Sequence, residues 1–172
     1  AAPSLVSTIA TGNTPRAVAV SGNRACVVNY NSNTMTVYNI SSPAAPVLSG
    51  TIATGSLPNT IDAVGNYAYV TNLGSNNMMV YDISNLAAPT LSSTIATGND
   101  PRGVALAGNY ACVVNYADNN MRVYNIVNPA APTLSTTIAT GTGPQFVAVG
   151  GSTACVVNNT ANTMTVYNLF CP

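Results

Sequence analysis

The stretch Thr8-Ile9-Ala10-Thr11-Gly12 returns unchanged at residues 51–55, 94–98 and 137–141, each copy 43 residues after the one before. The chain is 172 residues long, four such periods. Written as 1–43, 44–86, 87–129 and 130–172, the copies align without a gap, and 18 of their 43 columns are identical in all four. A fixed period of 40–45 residues with strand-like content is the signature of propeller blades. Each unit then buries its faces on its neighbours.

One repeat lays out the blade. Residues 4–11 form an extended run that Gly12 ends. After Pro15, residues 16–20 (Arg-Ala-Val-Ala-Val) read as a second strand. Gly22-Asn23 is a tight-hairpin signal, and it recurs as Gly65-Asn66 and Gly108-Asn109 and softens to Gly151-Ser152. Residues 24–30 and 34–40 make two more strands around an Asn-rich turn. Four short antiparallel strands per repeat define a propeller blade. The recurring Val27, Met35, Val37 and Tyr38 columns are apolar at strand spacing and read as core.

Composition points the same way. Lys, Glu and His are absent, and Gln145 is the single glutamine. Strand and turn formers dominate, with 13 glycines and 11 prolines. The expected fold is therefore an all-β propeller occupying residues 1–172 as one domain. Four arginines balance four aspartates, so net charge is zero. That leaves no electrostatic footprint for nucleic acid. No apolar run reaches the roughly 20 residues needed to span a membrane as a helix. A surface almost free of charge is poorly protected against association, which points to self-association, to glycans, or to both.

The stretches Gly65-Asn66-Tyr67-Ala68-Tyr69-Val70, Met79-Val80-Tyr81-Asp82-Ile83-Ser84-Asn85 and Ala88-Pro89-Thr90-Leu91 resemble the LVIVD-type repeat of bacterial and archaeal surface proteins. Tyr69-Val70-Thr71-Asn72 also spells the signature of the YVTN-type repeats. The resemblance covers the whole chain. It implies a β-propeller and an extracellular or cell-surface location, and it implies no common chemistry. YVTN-type propellers usually carry more than four blades, so four repeats could be a small ring, half of a larger ring, or a slice of an array.

The ends of the sequence fall inside a blade. Pro172 occupies the column of Pro43 and Pro129, and Ala1 that of Ala44. The last repeat lacks an outer strand, and residues 4–11 supply a spare one. Closure within one chain, with residues 4–11 completing the blade of residues 144–169, is the expectation, because local concentration favours it. Donation of the strand to a neighbouring copy is the alternative.

Candidate site residues are few. Without histidine there is no Ser-His-Asp or Cys-His arrangement and no histidine metal site. Arg16, Asn59, Arg102 and Gln145 form one polar column, each directly after a proline. In a four-blade ring they would line one mouth of the axial channel, with the two arginines opposite each other and suited to carboxylate or phosphate. Asp62 stands where the other repeats have alanine. A lone carboxylate there could bind a cation or a sugar hydroxyl as part of a ligand site; pairing with a nearby arginine or a place in a wet channel is the favoured expectation. Asn39 and Asn158 open N-glycosylation triplets. Asn29, Asn72, Asn115 and Asn158 read as amides bonding the local backbone. Cys26, Cys112 and Cys155 share a column too widely spaced for disulfides and read as small hydrophobes. Cys171 is off-pattern and could form an intermolecular bond.

The functional expectation is a non-enzymatic extracellular structural propeller that associates with itself, as a fibre or coat subunit, without cofactor or metal. The alternative is a ligand- or glycan-binding module using the channel mouth.

Overall fold

The computed structural model describes residues 2–169. Among these there is no helix, and 15 strands fall into four antiparallel sheets. The first sheet contains β1 (Pro15–Ser21), β2 (Arg24–Asn29), β3 (Thr34–Asn39) and β4 (Val47–Ala53). The second contains β5 (Pro58–Val64), β6 (Tyr67–Asn72), β7 (Asn77–Asp82) and β8 (Thr90–Ala96). The third contains β9 (Pro101–Ala107), β10 (Tyr110–Asn115), β11 (Asn120–Asn125) and β12 (Thr133–Ala139). The fourth has three strands, β13 (Pro144–Gly150), β14 (Thr153–Asn158) and β15 (Thr163–Asn168). Each four-stranded blade thus takes three strands from one repeat and its outer strand from the next.

Local chemistry explains the strand ends. Gly22, Gly65, Gly108 and Gly151 turn the first hairpin of each blade with φ between 53° and 58°, the left-handed region that glycine enters freely. The second hairpin turns on Asn33, Asn76, Asn119 and Asn162, all near φ 50°. Asparagine tolerates that region better than other side-chain-bearing residues. Its Oδ1 then works across the blades. Asn33 accepts from the Leu57 N–H (2.8 Å), Asn76 from Asp100 (2.9 Å) and Asn119 from Gly143 (2.8 Å).

The blades pack in chain order, β1 on β5, β5 on β9 and β9 on β13. Three apolar layers lie between them. Cys26, Val28, Met35 and Val37 meet Ile61, Ala68, Val70 and Tyr81. Tyr69, Met78 and Val80 meet Val104, Ala111, Val113 and Tyr124. Cys112, Val114, Met121 and Val123 meet Ala154 and Val156. Every interface therefore presses one fixed set of columns against a second fixed set, as the identical repeats require.

The expected closure of the ring by residues 4–11 is corrected. These residues join no sheet, and the fourth blade stays three-stranded among the described residues. The cause lies in what holds them. The Tyr38 hydroxyl donates to Ala10 O at 2.8 Å and the Ser7 hydroxyl to Pro43 O at 2.7 Å. Tyr81, Tyr124 and Tyr167 reach Ala53, Ala96 and Ala139 in the same way, at 2.9–3.0 Å. Residues 4–11 thus lie against the first blade as β4 lies against the second, at the end of the array opposite β15.

Candidate functional site

The polar column sits at the starts of the inner strands. Asn59 is buried, and its amide donates to Arg102 O at 2.5 Å. Arg102 Nη1 donates to Gln145 Oε1 at 2.8 Å. Its Nη2 meets Asp100 Oδ2 at 2.9 Å, and its guanidinium stacks over the Tyr116 ring at 3.6 Å. Asn59, Arg102 and Gln145 therefore form one chain across three blades. Arg16 stands apart on the first blade, exposed and 4.7 Å over the Tyr30 ring. The structure thus joins three of the four expected mouth residues and leaves Arg16 outside that chain of bonds. One arginine is already neutralised by a carboxylate two residues away, and the other is at the open end of the array.

Asp62 has neither an arginine partner nor a free carboxylate. Its Oδ1 accepts from the Ala63 N–H at 2.8 Å and its Oδ2 from the Leu106 N–H at 2.9 Å. It ties β5 to β9, so its expected arginine pairing is corrected. Asn39 folds back, with Oδ1 accepting from the Ser41 N–H at 2.9 Å. Asn158 is 1% exposed, and its amide donates to the Thr163 and Thr165 hydroxyls at 3.2 and 3.3 Å. A buried, engaged amide is not presented to a glycosylating enzyme, so Asn158 is corrected as an acceptor. Cys171 lies outside the described residues. No group of three or more metal-ligating side chains occurs among those described.

Cys26 and Cys112 are buried as expected, and burial pushes each thiol up to about 11. Cys155, in the same column, is half-buried. That difference leads to a feature the sequence reading missed. Val28, Met35 and Val37 are each 0% exposed, whereas their fourth-blade counterparts Val157, Met164 and Val166 are 43%, 60% and 60% exposed. Phe146 on the same face is 53% exposed. At the other end Val18 is 60% exposed, whereas its counterparts Ile61 and Val104 are buried, and Val20 is 59% exposed, whereas its counterparts Ala63 and Leu106 are half-buried. Burying each such side chain fully contributes about 1.5–3 kcal/mol. The array thus ends in two apolar faces of the kind that make its three internal interfaces. Shallow cavities mark both. One of about 340 Å³ lies beside Pro15, Arg16, Val18 and Val27, and one of about 460 Å³ beside Phe146, Val157, Asn162 and Met164. The sequence carried the signal, because a core column in a terminal repeat is core only if another blade follows.

Four radially ordered antiparallel sheets, built from one repeat and packed face to face, define the β-propeller class. The chain belongs to the LVIVD repeat family, whose model matches residues 12–54, 59–97 and 98–140. No curated protein matches the sequence. Among solved structures it is similar to Kuenenia stuttgartiensis hydrazine synthase (19% identity, TM-score 0.79), covering 91% of this chain and 46% of that one. It is similar to the computationally designed Ika4 protein (13% identity, TM-score 0.79), with 99% of this chain and 100% of that one covered. It is also similar to the periplasmic gluconolactonase of Pseudomonas aeruginosa (20% identity, TM-score 0.75), covering 90% and 49%. The chain spans about half the length of both natural relatives. At these identities the likeness is one of fold. It nevertheless corrects the expectation that the chain is not an enzyme. The same architecture occurs in a gluconolactonase, so the missing histidine and sparse charge are no ground for excluding catalysis.

Proposed function

We propose that this chain is an extracellular or cell-surface structural β-propeller subunit that associates with copies of itself, as a fibre or coat. The observation that carries the reading is the pair of uncovered apolar end faces, Val18 and Val20 at one end and Phe146, Val157, Met164 and Val166 at the other. Contiguous exposed apolar surface of this kind marks interaction sites. The near absence of charge supports it, since little repulsion opposes close packing of copies. Binding of an anionic ligand at the inner-strand mouth is less well supported, because Arg102 already spends its charge on Asp100.

Electron microscopy of the native protein, with antibody labelling of intact producing cells, tests the reading. Filaments, sheets or closed multimers, and labelling without permeabilisation, are expected. Dispersed single copies at every concentration would sink self-association. Labelling only after permeabilisation would sink the surface location.

A further inference from the structure

The two end faces match each other as well as being apolar. At the junction of the third and fourth blades, Val114, Met121 and Val123 cover Ala154 and Val156. One period on, Val157, Met164 and Val166 occupy the first set of columns and lie open. The second set, one period before the first blade's neighbour, includes the open Val18 and Val20. Placing one face on the other repeats the internal interface column for column. The inner strands agree: a Cβ on Gly103 would lie 3.1 Å from Phe146 Cα, so this column meets its successor, and Phe146 would meet the small Ala17.

Polar groups follow the same rule. Asn33, Asn76 and Asn119 each bond the loop of the following blade, whereas among the described residues no blade follows that of Asn162. Its counterpart donor is the Thr14 N–H, and Thr14 already has the φ of Leu57 and Asp100, 55° beside 54° and 57°. Residues 4–11 complete the match. They are docked on the first blade by the Tyr38 bond in the pose of β4 on the second. They can therefore serve as another copy's outer strand without moving.

We propose that a second copy of this chain docks its first blade on the fourth blade of the first copy, its residues 4–11 adding to β15 as the missing antiparallel strand. This deepens the self-association reading and rests on it. The β3–β4 ladder pairs Thr34 with Ala53, Thr36 with Thr51 and Tyr38 with Leu48. The same register places the incoming Ala10 opposite Thr163, Thr8 opposite Thr165 and Leu5 opposite Tyr167. The mode is strand addition at an exposed sheet edge. Because the junction is head-to-tail, the rotation per copy selects a ring or a filament.

The test is oxidative cross-linking of Thr8→Cys/Thr165→Cys, with Cys155 and Cys171 changed to serine, alongside light scattering of the same sample. Reducible bands at multiples of the single-chain mass are expected. A pair shifted by one residue, Thr8→Cys/Met164→Cys, should link far less, because neighbouring strand residues point to opposite faces. Linkage within one chain would overturn the proposal in favour of self-closure. Multimers without linkage would overturn the strand register and leave self-association standing. Single copies without linkage would overturn both. Val20→Asp and Phe146→Asp, checked for fold by circular dichroism, should each drive the assembly towards single copies. Unchanged multimers in both variants would contradict the face pairing.

Discussion

At residue 55 a methyl group would sit 2.8 Å from Asn72 Cγ, and at residues 12 and 141 it would lie 2.7 Å from the matching asparagines. This one close approach accounts for two invariant columns, the glycine that ends each TIATG stretch and the buried Asn29, Asn72, Asn115 and Asn158. Gly55→Ala should therefore destabilise the fold by about 1–3 kcal/mol, the usual cost of forcing atoms into a packed site. Urea unfolding would read it, and an unchanged midpoint would refute the packing argument. The buried thiols give a second prediction at this scale. Cys26 and Cys112 ionise near 11 in the folded chain against 9.0 when free. Tyr69 is likewise pushed up to about 12 by burial. Between pH 9 and pH 11 the unfolded chain releases protons that the folded chain keeps, so stability falls as pH rises through that window. Below pH 9 these thiols add no pH dependence. A urea midpoint that stays level from pH 9 to pH 11 would contradict their burial.

Among the elements, the tyrosine that crosses from each blade to the preceding outer strand is the recurring tie. Tyr81→Phe removes the 3.0 Å bond to Ala53 O and should cost about 1 kcal/mol, measured by chemical unfolding. Tyr38→Phe removes the matching bond to Ala10 O, where no strand ladder shares the load within the copy. It should speed amide exchange over residues 4–11 more than Tyr81→Phe does over β4. Equal effects would mean that Tyr38 is not what docks the segment. Most of this was legible beforehand. The strands after Pro15, Pro58, Pro101 and Pro144, the glycine hairpins and the Val27, Met35, Val37 and Tyr38 columns follow from local propensity and period-2 burial. The closure of the ring was not legible. It depends on the rotation between adjacent sheets, which sums many small packing contacts that no single column encodes. The Arg102–Asp100 pair was missed because the two residues lie on either side of a proline in a left-handed turn, a geometry that spacing alone does not give. Asp62 bonding to the Leu106 N–H needed the position of a neighbouring blade.

The described residues form an array of four blades with an exposed apolar face at each end, and the proposed assembly makes the solution behaviour depend on those faces. Cys155 lies on the uncovered fourth-blade face, whereas Cys26 and Cys112 are sealed inside. In the assembled protein Cys155 should resist alkylation, and dilution into single copies should expose it while the two buried thiols stay protected. Alkylation of Cys155 at equal rates in both states would place the contact elsewhere. The central claim is that the uncovered faces meet between copies. Light scattering of the wild-type protein across a concentration series tests it most directly. The account predicts a molar mass of at least twice the 17.5 kDa of one chain, falling only at high dilution. A particle of one chain's mass at every concentration would contradict it.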